Sequence, residues 1–212
     1  MSRCLLLLTL MGCTASAGQR ARTAGKGVVQ VGLEGGASTG AVWPAPVMDL
    51  AVRVGVSERL DLGARIGSTG YEAQGKLRLT DDDSDLVVST AILASYKNFG
   101  NACPMGGDCG SVNAQSLMVP VLVDIPTGPR SAVVVGPAGR YSYVRSPSGW
   151  GPEPTWLQVG GSLGYALSFG GSFTLLPQVG ALPTVCCGGQ APIEEGSYDV
   201  RVAFLFGQRF DP

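Results

Sequence analysis

From Val28 onward the chain alternates apolar and polar positions. Met48, Leu50, Val52, Val54 and Val56 fall on one side, and Asp49, Ala51, Arg53 and Gly55 on the other. Ser57-Glu58-Arg59 turns the chain, after which Leu60, Leu62, Ala64 and Ile66 alternate with Asp61, Gly63, Arg65 and Gly67. Tyr71, Ala73, Gly75, Leu77 and Leu79 alternate with Glu72, Gln74, Lys76 and Arg78. Near the end, Tyr198, Val200, Val202, Phe204 and Phe206 alternate with Asp199, Arg201, Ala203, Leu205 and Gly207. A period of two over about ten residues marks strands with one apolar and one polar face, because successive side chains point to opposite sides of a sheet. The pattern predicts ten strands, over 28–37, 47–56, 60–68, 71–80, 86–96, 116–125, 131–143, 156–168, 172–182 and 198–210. No helical period stands out beyond the first dozen residues.

The connections between these strands alternate in length. Short turns fall at 57–59, 81–85, 126–130 and 170–171; longer loops fall at 38–46, 97–115, 144–155 and 183–197, with 69–70 the one short member of that second set. Tight hairpins at one end and long loops at the other is the construction of a transmembrane β-barrel. The aromatic residues fit the same scheme. Tyr71, Tyr96, Tyr141, Tyr143, Trp156 and Tyr198 gather at the long-loop rim, and Phe169, Phe173, Phe206 and Phe210 at the short-turn rim. Such girdles form because amphipathic rings settle at headgroup level.

On this pattern, from about residue 28 to 210, the chain resembles the small bacterial outer-membrane β-barrel proteins. The resemblance implies an all-β, antiparallel up-and-down transmembrane barrel with short periplasmic turns and long external loops. Some features depart from it. Pro120 and Pro177 lie inside strands, where a missing N–H in an edgeless barrel predicts a bulge or a break. The chain ends Phe210-Asp211-Pro212 rather than on the terminal aromatic usual in the class. Eight strands is therefore the alternative to ten.

Alternation alone does not say which face points inward, since a soluble barrel turns its apolar face to its core. The polar faces favour the membrane reading. That of 156–168 carries Gln158, Gly160, Ser162, Gly164 and Ala166, small residues suited to a crowded lumen rather than to a wall facing water. Asp49, Arg53, Asp61, Arg65, Glu72, Lys76, Arg78, Asp199 and Arg201 are expected to form a polar cluster that pairs across the lumen.

The N-terminus reads as an address. Arg3 precedes an apolar stretch, Cys4–Gly12, too short to span a bilayer and suited to a signal peptide. Leu10-Met11-Gly12-Cys13 resembles the lipobox of bacterial lipoproteins, which implies acylation of Cys13 and a lipid anchor at a new N-terminus. Ala15-Ser16-Ala17 is a competing A-x-A cleavage site. Residues 14–27 are small, polar and aperiodic. The expected division is a signal peptide over 1–12, a flexible tether over 13–27 and a barrel domain over 28–212, located in the bacterial outer membrane.

Composition narrows the chemistry. The 212 residues are 15% charged, with 32 Gly, no His and a net charge of −1; soluble domains are typically about 25% charged. A near-neutral chain lacks the clustered cations that nucleic acid requires. Without His there is no His-dependent triad and no ready proton-transfer group near neutral pH, so no enzyme activity and no cofactor are expected. Cys103, Cys109, Cys186 and Cys187 all fall in loops assigned to the outer side. An even number in an oxidising compartment predicts two disulfides, with three connectivities open. C-x5-C and C-C are poor zinc spacings, so no metal is expected. The expected role is structural or interactive at the cell surface, with membrane lipid and a surface ligand or another envelope protein as partners. The alternatives are a narrow channel for ions or small solutes, and a soluble periplasmic lipocalin-like binder.

Overall fold

The structure is a computed structural model that describes residues 19–39, 44–67, 70–81, 84–102, 110–145, 155–170, 172–188 and 197–209. Its strands are β1 (Val28–Thr39), β2 (Pro44–Gly55), β3 (Leu60–Gly67), β4 (Gly70–Arg78), β5 (Val87–Ala102), β6 (Gly110–Gly128), β7 (Ser131–Arg145), β8 (Thr155–Phe169), β9 (Phe173–Leu182), β10 (Thr184–Gly188) and β11 (Ser197–Arg209). Each is antiparallel to its neighbours, in the order β1 to β9 and then β11. The last strand closes on the first, from Val28 opposite Arg209 to Thr39 opposite Tyr198. The short β10 continues β9 beyond Pro183 and pairs with the start of β8. The result is a closed ten-stranded antiparallel barrel.

The period of two sorts the side chains by chemistry. Met48, Ile66 and Val200 point outward and are 65%, 66% and 60% exposed, whereas Lys76 and Arg201 point inward and are each 2% exposed. Thirty large hydrophobic side chains are exposed among the described residues, in a belt that runs from Val31 to Phe206. This is the inverse of a soluble barrel, and it leaves far more contiguous apolar surface than a water-soluble monomer shows.

Neither internal proline breaks the barrel, so the count is ten and not eight. In an antiparallel pair each N–H points to one neighbour only. Pro120 remains opposite Ala138 of β7, and Pro177 opposite Val202 of β11. Each interrupts the ladder on its other side, against β5 and β8, and the register there resumes without a shift. Thr90 Oγ1 donates to the Pro120 carbonyl at 3.2 Å across the first gap. The strand does break at a third proline, Pro183, between β9 and β10.

Other expectations change as well. The loop expected over 97–115 is largely strand, since β5 runs to Ala102 and β6 starts at Gly110, with a register shift between Asn98 and Asn101. Trp156 is not at the outer rim: it is 4% exposed and turns into the barrel. Tyr71 and Tyr96 stack outside at 5.2 Å between centroids. At the short-turn end Phe173 packs against Phe169, Phe204 and Phe206 at 5.6, 6.3 and 5.0 Å. Phe210 lies outside the described residues.

The largest departure precedes β1. The described part of the expected tether, residues 19–27, folds back into the barrel. Gly25 and Gly27 have φ of 86° and 76°, left-handed values that favour glycine, and they reverse the chain there. Gly27 N then donates to the Gly55 carbonyl at 3.0 Å. Gly55 is needed too, because a Cβ on it would lie 1.7 Å from the Gly25 carbonyl oxygen.

Candidate functional site: a charged lumen

The lumen holds two layers of polar contacts. Glu34, in the middle of β1, organises the layer nearer the long loops. Its carboxylate meets Arg65 of β3 at 3.1 Å and Arg201 of β11 at 3.4 Å. Arg201 also reaches Asp49 of β2 at 2.8 Å and Asp199 at 3.0 Å, and Arg65 lies 3.7 Å from Glu72 of β4. Arg53 donates to Gln30 at 3.1 Å. Removing each such charge from water costs several kcal/mol, so a buried ion is tolerated only with several partners. Arg201, with three carboxylates in reach, is the hub.

Glycines on the inner wall make room for these side chains. A Cβ at Gly63 would come 2.7 Å from Gln74 Nε2 and 2.9 Å from Arg53 Cγ, and one at Gly67 would come 2.0 Å from Asp49 Oδ1. Gly63 and Gly67 occupy the inward positions of β3 between and beside the charged residues, which is why that face reads Asp61, Gly63, Arg65, Gly67.

The second layer lies nearer the short turns and holds the N-terminal segment. Asp124 of β6 receives Arg20 Nε at 3.0 Å and the Ala21 backbone N–H at 2.8 Å. Arg20 also donates to Ser168 Oγ at 3.1 Å. Lys76 Nζ donates to the carbonyls of Arg20 and Arg22 at 3.2 and 2.7 Å and pairs with Asp61 at 3.1 Å. Both oxygens of Asp61 accept the Ala24 N–H at 3.1 Å. Thr23 Oγ1 donates to the Glu58 carbonyl at 2.7 Å. Ala21 joins a buried apolar cluster that includes Val87, Leu93, Leu122 and Leu182, and Gln19, fully buried, donates to Gln74 Oε1.

The nine charged residues singled out from the sequence thus divide between the layers. Asp49, Arg53, Arg65, Glu72, Asp199 and Arg201 lie in the first, Asp61 and Lys76 in the second, and Arg78 is buried near the short-turn end. Sequence reasoning missed Glu34, Asp124 and Arg140, all buried. The same alternation points each of them inward, so the signal was present. Between Glu72, Leu93, Met118 and Arg140 the interior leaves a cavity of about 10 Å³, the least that holds one water.

Cys186 is an exposed free thiol on β10. Cys13, Cys103 and Cys109 lie outside the described residues, as does the side chain of Cys187. No group of three or more metal-ligating side chains forms among the described residues. What the lumen can do is hold charges and a peptide segment.

No family model matches the chain, and no curated protein matches it. Among solved structures, the fold is similar to the N-terminal β-barrel domain of Pseudomonas aeruginosa OprF, at 10% identity and a TM-score of 0.38, covering 87% of this chain and 99% of that one. It is similar to the NanC porin at 10% identity and a TM-score of 0.45, covering 83% of this chain and 98% of that one. It is likewise similar to Ail, the attachment invasion locus protein of Yersinia pestis, at 9% identity and a TM-score of 0.43, covering 85% and 99%. At these identities the likeness is one of fold alone.

Proposed function

We propose that the chain is a bacterial outer-membrane β-barrel with a filled lumen, whose role is structural or interactive at the cell surface rather than conductive. Its apolar side chains face outward around the wall, which water would not tolerate and acyl chains would. A ten-residue strand tilted by about 40° rises roughly 25 Å, the height of the apolar band of an outer-membrane barrel. The observation that carries the non-conductive reading is the Glu34–Arg65–Arg201–Asp49 network, stacked on a peptide segment in the same lumen. With the short turns in the periplasm, the β5–β6 hairpin projects outward as a platform for a surface partner.

Conductance tests this reading. The purified barrel in a planar lipid bilayer is expected to give no stable steps at modest voltage. Reproducible steps of uniform size from the unaltered protein would overturn the filled-lumen reading in favour of a narrow channel.

A further inference from the structure

We propose that the lumen binds a chloride ion at Arg140, toward the long-loop end of β7. Arg140 is 4% exposed, and no carboxylate pairs with it among the described residues. Its Nη1 is buried without a hydrogen-bond partner, and its Nη2 meets only the Met118 sulfur, at 3.5 Å. Thioether sulfur is a weak acceptor, so this guanidinium is a buried cation without a counter-charge. A buried charge persists where something pairs with it.

Two more donors stand on the same patch of wall. Ser142 is the next inward residue of β7, and Trp156 of β8 lies opposite it. Each is 4% exposed, and Ser142 Oγ and Trp156 Nε1 are buried without a hydrogen bond. Inward residues two apart on a strand are about 7 Å from one another, and directly opposed residues about 5 Å, so side chains of these lengths reach a common point. An indole N–H and a guanidinium can only donate. The group that belongs between them is therefore an acceptor. Beside Arg140 lies a cavity of about 10 Å³ whose wall includes Glu72, Ser95, Lys97, Ser116 and Met118. Ser95 and Ser116 share one hydrogen bond at 2.7 Å, which leaves one of their two hydroxyl protons to donate.

Charge and size select the ligand. Among the described residues, six cationic side chains are buried with five carboxylates, so the interior is one negative charge short. A cavity of this volume takes one water-sized group and is too small for phosphate, sulfate or a carboxylate. A water brings two protons of its own to a wall of donors and leaves Arg140 uncompensated. Chloride brings the missing charge and accepts from every side. It is wider than a water, and Met118, unbranched with three rotatable bonds, gives the room.

The test refolds the barrel from urea into detergent at one ionic strength, in chloride or in gluconate, which is too bulky for the cavity. The unaltered barrel is expected to unfold at a higher urea midpoint in chloride. Arg140→Met is expected to unfold at one midpoint in both salts, above that of the unaltered barrel in gluconate, because it removes the charge that gluconate leaves bare. With Trp43→Phe and Trp150→Phe in place, Trp156 is the sole indole. Bromide, a contact quencher of the same charge, is expected to dim it at least twofold along a saturating curve that chloride reverses. One midpoint in both salts for the unaltered barrel means that Arg140 holds only a water, and overturns the proposal. So does a chloride dependence that survives Arg140→Met, or quenching that rises without saturation.

Discussion

Arg201 donates a 2.8 Å hydrogen bond to Asp49 across the width of β1, joining two strands that never touch as backbones. The side chains are 1% and 8% exposed. Arg201→Met would leave Glu34, Asp49 and Asp199 as buried carboxylates short of their shared cation. The expected loss is about 3–5 kcal/mol, read from urea unfolding of the barrel in detergent. Arg59 pairs with Asp81 at the surface, with both side chains more than half exposed. Arg59→Ala is expected to cost under about 1 kcal/mol. Equal losses would mean that the lumen network holds nothing together.

Val52 tests the outer face. It sits between Val31 of β1 and Ala64 of β3 and is 39% exposed. Val52→Arg is expected to cost about 2–4 kcal/mol at mid-bilayer depth, and to lower the fraction of chain assembled in the outer membrane. Val52→Ala, which adds no charge, is expected to assemble nearly as well. A harmless Val52→Arg would place the belt in water.

Gly55 tests the seating of the N-terminal segment. Any side chain there collides with the Gly25 backbone, yet Gly55 ends β2 and supports little of the wall. Gly55→Val is therefore expected to expel residues 19–25 while the barrel persists. Trypsin is expected to cut the variant after Arg20 and Arg22 and to leave those bonds intact in the unaltered barrel, with Lys26 cut in both. Resistance at Arg20 and Arg22 in both proteins would show that the segment does not depend on this contact.

Cys186 reports topology. It is exposed and free on β10, at the end of the barrel opposite the short turns. A membrane-impermeant maleimide is expected to label it on intact cells without prior reduction, as read by peptide mass. Labelling only after permeabilisation would put the long loops in the periplasm and invert the barrel.

The wall was legible in the sequence because burial there follows local alternation. Each strand needs only its own residues to declare which side is apolar, and, β6 apart, β1 to β9 and β11 start within three positions of where that pattern placed them. The β5–β6 extension was not legible. Lys97, Asn98 and Asn101 show no contrast between faces, and the extension is held by backbone pairing, which leaves no mark on side-chain pattern. The segment from Gln19 to Ala24 was hidden for another reason. Its partners, Asp124 and Ser168, lie more than a hundred positions away, and a short aperiodic stretch with no apolar face looks like a tether until those partners are in place. Trp156 followed neither rule. Its size suggested the rim, while its even position on β8, in step with Gln158, already pointed inward.

The distances in sequence between the N-terminal segment and its anchors impose an order in time. Arg20 crosses an export pore well before Asp61, long before Asp124, and last of all before Ser168. None of its binding partners faces a common interior until β8 has joined the wall. A segment this short has no intrinsic order with which to wait. The contacts of residues 20–24 with Asp61, Lys76, Asp124 and Ser168 thus become complete only when strands from β3 to β8 share one interior. The contact between Arg20 and Ser168 can therefore close only after eight strands are in place, although Arg20 precedes every one of them.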